Sequence, residues 1–195
     1  VLLYMKKLIV VDACMHEGSR TRKIMEPVVA ELSKRYSVEK IVLEADSYPV
    51  VGKKKLEERS SGYVPSGIVE TARKIAMADR LVIAAPFWDM SYPSALKVFF
   101  ENMSLFNITF ANTGKEFTGL CRCEKVLYIT TRGMNIKTGE ALEQATPYIR
   151  ALSHLWGLGE LTVLAEENMD YSTPEEIEAK IRDGIEKGIQ IAHNF

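Results

Sequence analysis

Cysteine, net charge and long apolar runs are all scarce in this chain. Only 3 of its 195 residues are cysteines, an odd count that provides no disulfide framework, so a reducing cytoplasm is the expected location. The 25 basic and 26 acidic residues leave a net charge of −1, which favours neither nucleic acid nor a membrane surface as a partner. The apolar run that follows Lys6 and Lys7, Leu8–Val11, stops at Asp12, too early for a signal peptide or a membrane-spanning helix.

Familiar phosphate and metal motifs are also missing. The sequence contains neither G-x-G-x-x-G nor G-x-x-x-x-G-K-[ST], which excludes the Rossmann fingerprint and the Walker loop. Cys121 and Cys123 form a C-x-C pair, but zinc usually takes four ligands and the sequence has no second pair. No metal site is therefore expected.

Five short apolar runs alternate with segments of helical periodicity. The runs predict strands at residues 7–11, 38–43, 81–85, 125–130 and 161–165. Unbroken apolar strands of this kind are typical of a parallel sheet that is covered on both faces. The pattern therefore predicts one α/β domain over residues 5–195, a three-layer sandwich in which Met5 is the expected natural start.

Helices are predicted between these strands. Their apolar periodicity covers residues 19–35, 66–78, 93–103 and 140–156. Two segments lack a clear period: residues 45–66 are predicted to be a long exposed insertion, and residues 111–120 a glycine-bearing loop.

The last helix has the clearest boundary signal in the chain. Thr173 is followed by Pro174 and Glu176, which is the pattern of a capping box. Isoleucines recur every four residues after it and predict the face that packs on the core: Ile177, Ile181, Ile185 and Ile189.

The loop after the first strand has small residues just before a helix. Gly18, Ser19 and Thr21 stand where free N–H groups and the positive end of the helix dipole favour a phosphate. Simple capping of the helix explains the same residues, so this loop alone leaves both interpretations open.

The loop after the third strand is rich in aromatic residues. Pro86 ends the strand, and Pro93 suits the first turn of the next helix. Phe87, Trp88 and Tyr92 lie between them, at the carboxyl end of a strand, where open α/β sheets bind ligands. Flat side chains there predict a flat ligand, although core or interface aromatics are the alternative.

The loop after the fourth predicted strand contains Thr131, Arg132 and Gly133. The glycine would allow the backbone to approach a ligand, and the arginine would supply positive charge nearby. A tight turn with a solvated arginine is the alternative interpretation.

The three loops together are more specific than any one of them. In a doubly wound sheet of order 2-1-3-4-5, the first, third and fourth strands are neighbours, and their carboxyl ends line one crevice. Phosphate donors, a flat apolar wall and an open backbone edge then converge. A phosphorylated, flat, aromatic cofactor satisfies all three, and FMN is the natural candidate.

The sequence resembles the FMN-dependent NADH-azoreductase and quinone reductase family, which has a flavodoxin-like fold. The segment IAAPFWDMSYPSALKVFFE is similar to the family pattern A-P-[MF]-[YW]-N-F-x-x-P-x-x-L-K, and TTRG is similar to its S-R-G. The pieces NITF, ATPYI, LWG and AE extend the resemblance over nearly the whole chain after Met5.

The resemblance implies which residues hold the cofactor. Those around the FMN phosphate would be Ser19, Arg20 and Thr21. Those along the flavin ring would be Pro86, Phe87, Trp88, Asp89 and Met90. Those near its pyrimidine end would be Thr131, Arg132, Gly133 and Met134, with the backbone at Gly133 and the Arg132 charge tuning the flavin.

The resemblance also implies a reaction and an assembly. NADH or NADPH would give hydride to the bound FMN, and a quinone, azo compound or similar flat acceptor would then take the electrons. The flavin carries this chemistry, so no catalytic side chain is implied. The expected assembly is a homodimer with both sites at the interface. Weaker candidates for the acceptor pocket, which core or dimer contacts would also explain, are Tyr48, Phe106, Phe110 and Phe117.

Three positions depart from the family pattern. Asp89 stands where the family usually has Asn, and an ionised carboxylate cannot donate a hydrogen bond. Met90 replaces an aromatic residue, and Met134 replaces a second glycine. These changes affect the expected redox potential and acceptor preference more than the expected cofactor.

Two other functions fit part of the pattern. Residues 14–21 match C-x5-R-[ST], which is similar to the phosphate loop of low-molecular-weight tyrosine phosphatases, with Cys14 as the nucleophile. However, the sequence contains no Asp-Pro dipeptide for the general acid, and the other two loops go unexplained. A non-catalytic electron carrier of flavodoxin type is the second alternative, but it predicts a more acidic surface.

Overall fold

The computed structural model describes residues 5–195, so residues 1–4 before the expected start at Met5 lie outside the described part. The central sheet has five parallel strands: β1 (Lys7–Asp12), β2 (Ser37–Val42), β3 (Arg80–Ala84), β6 (Lys125–Thr131) and β7 (Glu160–Glu166). Their spatial order is β2-β1-β3-β6-β7, which confirms the predicted 2-1-3-4-5 order and the α/β class.

Helices cover both faces of the sheet, as predicted for a three-layer sandwich. They are α1 (Arg20–Leu32), α2 (Lys53–Ser60), α3 (Ser66–Ala76), α4 (Ser94–Met103), α5 (Ala145–Trp156) and α6 (Pro174–His193). One apolar cluster joins the sheet to α3, α4 and α5, with Phe99, Phe100 and Trp156 at its centre. The other joins the opposite face to α1 and α6, where Ile24 and Ile181 are buried. Across residues 5–195, every helix is too short or too polar to cross a bilayer.

The structure corrects three secondary-structure predictions. The segment predicted as an insertion without periodicity, residues 45–66, contains α2, none of whose own residues is buried. The predicted loop at 111–120 contains most of an antiparallel hairpin, β4 (Phe110–Asn112) and β5 (Phe117–Gly119). The helix predicted from residue 140 begins at Ala145 instead. An exposed polar helix and three-residue strands leave no periodic signal, because neither buries a continuous apolar face.

The predicted isoleucine face of α6 is only partly the core face. The fully buried positions of α6 are Ile181, Gly184, Gly188 and Ala192, while Ile177, Ile185 and Ile189 are half-buried beside them. A Cβ atom at Gly188 would lie 2.3 Å from Val28 Cγ2 and 3.0 Å from Leu164 Cδ2. The small residues therefore allow α6 to pack closely on α1.

Gly188→Ala is expected to lower the free energy of unfolding by about 1–3 kcal/mol, because an overpacked contact forces side chains or backbone to shift. Gly67→Ala in α3 is the matched control, since a Cβ atom there meets nothing within 4 Å. The control should leave stability unchanged or raise it by up to about 1 kcal/mol. Urea unfolding measures both variants, and equal free energies would contradict the close packing of α6 on α1.

Candidate functional site

Three loops leave the sheet at adjacent strand ends and enclose one crevice. Asp12 of β1 pairs in register with Ala84 of β3, which in turn pairs with Ile129 of β6, so the chains diverge from neighbouring points. Between the loops lies a cavity of about 440 Å³. Its lining residues are His16, Gly18, Ser19, Arg20, Pro86, Phe87, Trp88, Thr131, Arg132, Gly133, Met169 and Asp170. Such a volume is within the roughly 300–1,000 Å³ of small-ligand sites.

The structure brings eight of the twelve sequence-predicted site residues to this cavity. They are Ser19, Arg20, Pro86, Phe87, Trp88, Thr131, Arg132 and Gly133. The lining does not include Thr21, Asp89, Met90 or Met134. The lining also does not include the four weaker aromatic candidates, because Tyr48 packs on Phe99 and the other three form a separate ring cluster.

The start of α1 forms one end of the crevice. The Ser19 hydroxyl caps the helix by accepting a hydrogen bond from the Arg22 amide at 3.3 Å. The amides of Arg20 and Thr21 belong to the first turn, where N–H groups have no partner within the helix. The buried Thr21 side chain instead hydrogen-bonds the Thr131 hydroxyl at 2.7 Å and so ties α1 to the end of β6. Thr21 is therefore a support beneath the crevice rather than part of its surface.

An ion pair between the buried Asp12 and the partly exposed Arg22 shapes the loop that leads to this helix. The Asp12 carboxylate accepts hydrogen bonds from the Cys14 amide at 3.0 Å and from Arg22 Nε at 3.2 Å. Arg22 also donates to the carbonyl oxygens of Cys14 and His16. The loop is thus folded around the Arg22 guanidinium, which leaves Ser19 and Gly18 at the cavity.

Cys14 is not among the residues that line the cavity. Its side chain is 1% exposed, and its Sγ lies 3.8 Å from the Ala84 carbonyl oxygen. Burial, and after it the Asp12 charge, raises the pKa of Cys14 to about 12. A nucleophilic cysteine needs a lowered pKa and access to substrate, and Cys14 has neither. These observations argue against the phosphatase alternative.

Cys14→Ser is accordingly expected to retain, within about twofold, the NADH–quinone reductase activity that the family resemblance implies, because the thiol is a packing atom and a hydroxyl at that position can donate to the Ala84 carbonyl oxygen. Steady-state rates of NADH oxidation at saturating FMN measure the effect. A rate reduced more than tenfold in a protein that still binds FMN would give Cys14 a chemical role and contradict this assignment.

The second loop forms an apolar wall. Pro86 and Phe87 are buried, whereas Trp88 is 43% exposed. The Phe87 amide donates to the Thr131 carbonyl oxygen at 3.2 Å, which fixes this wall against the third loop.

A tight turn follows the wall. Trp88 and Ser91 exchange backbone hydrogen bonds of 2.9 Å on either side of Asp89 and Met90. Both central residues have positive φ, 48° and 67°, as the type I′ turn of a two-residue hairpin requires. The turn therefore places Asp89 and Met90 outside the cavity lining and holds Trp88 at its mouth.

Arg132 is buried, so the alternative interpretation of a solvated arginine is wrong. Its side chain is 0% exposed, and its guanidinium donates to the Ile136 carbonyl oxygen at 3.0 Å and to Thr138 Oγ1 at 2.9 Å. It also pairs with Glu167 at 3.5 Å and with the buried Glu143 at 3.9 Å. Arg132 lies over the Phe87 ring, with its Cζ 5.6 Å from the ring centroid. These contacts of the buried guanidinium hold the backbone of the third loop in place.

Several other buried polar atoms lie in the same region as the Arg132 side chain. Within residues 5–195, five buried side-chain atoms have no hydrogen-bond partner: Tyr128 Oη, Thr130 Oγ1, Arg132 Nε, Glu143 Oε2 and Thr146 Oγ1. The other Glu143 oxygen accepts hydrogen bonds from the Ala145 and Thr146 amides at the start of α5. The position of the third loop therefore depends on buried charge as well as on apolar packing.

The sequence interpretation missed Asp170, which lies directly on Gly133. A Cβ atom at Gly133 would lie 1.9 Å from Asp170 Oδ2, so the glycine is needed for this contact even before a ligand is considered. Asp170 Oδ1 also lies 3.0 Å from Arg20 Nη1. Residue 170 lies in a three-residue 3-10 helix, Met169–Tyr171, which has no periodic signal in the sequence.

A family model described as flavodoxin-like fold matches residues 5–189, and the chain belongs to that family. An FMN-dependent NADH:quinone oxidoreductase from Clostridium perfringens (strain ATCC 13124) is 29% identical over 204 residues, covering 98% of this chain and 100% of the relative. The family resemblance inferred from the motifs is thereby confirmed.

Solved structures show the same architecture. An FMN-dependent NADH-azoreductase from Bacillus anthracis str. Ames Ancestor, solved in complex with FMN, superposes with a TM-score of 0.80 at 19% identity and covers 96% of this chain and 100% of its own. An NAD(P)H:quinone oxidoreductase from Methanothermobacter marburgensis gives a TM-score of 0.76 at 17% identity, with 96% and 100% covered. At these identities the superpositions establish the fold.

Proposed function

We propose that this protein is an FMN-dependent oxidoreductase that takes hydride from NADH or NADPH and reduces quinones, azo compounds or similar flat acceptors. The observation that supports this most is the convergence of Ser19, Trp88 and Gly133 on one cavity of about 440 Å³. FMN accepts a hydride and passes electrons on, so the protein has to bind, orient and shield it. The similarity to an FMN-dependent NADH:quinone oxidoreductase over 98% of the chain supports the same reaction.

The donor set fits the phosphate of FMN at one end of the crevice. Ser19, Arg20 and the first-turn amides of α1 present hydroxyl, guanidinium and N–H donors together, and a helix start favours an anion. Pro86, Phe87 and Trp88 would lie along the flavin ring.

The third loop would lie at the pyrimidine end of the ring. Thr131 and Gly133 line the cavity there, while Arg132 holds their backbone in place from behind. Residues proposed to support these walls without lining the cavity are Thr21, Asp89, Met90 and Met134.

We further propose a cytoplasmic homodimer with both sites at the subunit interface. The three cysteines are free and buried, which suits a reducing compartment. Trp88 is a large apolar side chain exposed at the mouth of the crevice, where a second subunit would cover it. Light scattering should give twice the chain mass of 22.0 kDa, and a monomeric mass would refute the dimer.

The reaction is tested by following NADH oxidation with a soluble naphthoquinone as the acceptor. The expected result is turnover that requires both added FMN and the quinone, with no hydrolysis of an aryl phosphate. A protein that is saturated with FMN but does not oxidise NADH or NADPH would contradict the oxidoreductase and favour the electron carrier. Hydrolysis of the aryl phosphate without NADH oxidation would favour the phosphatase.

A further inference from the structure

The backbone of residues 168–170 is fixed against the third loop. The amides of Asn168, Met169 and Asp170 donate to the carbonyl oxygens of residues 134, 132 and 133, at 3.0, 3.1 and 2.9 Å respectively. These three hydrogen bonds place the Asp170 Cα beside the cavity. Only its side chain is therefore free to change position.

The Asp170 side chain reaches across the crevice. One carboxylate oxygen lies 3.0 Å from Arg20 Nη1 at the start of α1, and the other lies over Gly133. The Asp170 and Arg20 side chains are 64% and 38% exposed. Exposed ion pairs contribute little to stability, typically about 0–1 kcal/mol. An anionic ligand can therefore displace this carboxylate from the guanidinium.

We propose that Asp170 is a built-in competitor of the FMN phosphate for Arg20. This inference rests on the proposed function, because it assigns the phosphate end of the flavin to the start of α1. Without ligand the Asp170 carboxylate neutralises Arg20. On binding, the phosphate takes over the guanidinium, which matches its oxygens in a bidentate geometry, and the carboxylate swings away from Gly133.

The competition makes Asp170 a determinant of flavin affinity and of the discrimination between FMN and riboflavin. Its negative charge opposes the phosphate dianion, so removing that charge should favour FMN. Riboflavin has the same ring and no phosphate, and it does not compete for Arg20. The charge of Asp170 should therefore affect FMN far more than riboflavin.

Asp170→Asn tests this inference, because the amide keeps the shape of the side chain and removes its charge. We expect the dissociation constant for FMN to fall about tenfold, the size of effect that one nearby charge produces. The constant for riboflavin should change by less than about threefold. Fluorescence quenching of each flavin on titration with protein measures both constants.

Glu178→Gln is the matched control. Glu178 is an exposed carboxylate that pairs with Lys23 of α1 at 3.9 Å, and it is not among the residues that line the cavity. Its removal should leave both flavin affinities unchanged. An unchanged or weaker affinity of Asp170→Asn for FMN would overturn the inference, as would an equal gain for riboflavin. If FMN fails to bind to the wild-type protein as well, the proposed function is refuted and this inference with it.

Discussion

Arg132→Met is expected to lower the free energy of unfolding by about 3–5 kcal/mol, the range observed when one partner of a buried ion pair is removed. Methionine retains most of the volume over Phe87 but none of the donors to Ile136 and Thr138. The carboxylate of Glu143 would then remain buried without its cation. Urea unfolding measures the loss, and weaker FMN binding should accompany it because the third loop is no longer braced.

Two further variants identify the cause of this loss. Adding Glu143→Gln to Arg132→Met should recover part of the stability, because the stranded charge is removed. Arg150→Met on α5 is the control for losing an exposed arginine, and it should change stability by no more than about 0.5 kcal/mol. Equal free energies of unfolding for Arg132→Met and Arg150→Met would show that the buried Arg132 guanidinium does not stabilise the third loop.

Gly133→Val is expected to weaken FMN binding about a hundredfold or more, equivalent to about 3 kcal/mol. A side chain at this position would prevent the close approach of backbone to ligand. It would also strike Asp170, since the added Cβ lies 1.9 Å from Oδ2. Flavin titrations measure the affinity.

The double variant Gly133→Val with Asp170→Ala separates these two causes. Asp170→Ala removes the carboxylate that the new side chain would strike, so a defect caused only by that clash should disappear. We expect the double variant to remain at least about fiftyfold weaker than Asp170→Ala alone, because the ligand itself needs the space. Recovery of FMN affinity in the double variant would show that Gly133 serves Asp170 and not the ligand.

The order of the sheet and the meeting of the three loops could be predicted from the sequence. Buried parallel strands leave unbroken apolar runs, and the rule that ligands bind at the carboxyl ends of strands then brings Ser19, Trp88 and Gly133 together. The helix α2 could not be predicted, because its sequence KKKLEERS buries none of its residues and has no apolar face.

The roles of Arg132 and Asp170 could not be predicted for a different reason. The two carboxylates that face the buried Arg132 come from more distant segments, Glu143 from just before α5 and Glu167 from just after β7. Asp170 reaches Arg20 across 150 residues of sequence. Local periodicity carries no information on such pairings, since they depend on the folded arrangement of distant segments.

A crystal structure of the protein soaked with FMN tests the central claim most directly. The account predicts one FMN per chain, with its phosphate within about 2.7–3.2 Å of donors at Ser19 and Arg20. Its ring should lie against Pro86, Phe87 and Trp88, with one edge at Gly133. Flavin density at another surface, or a crevice that stays empty at saturating FMN, would contradict the account.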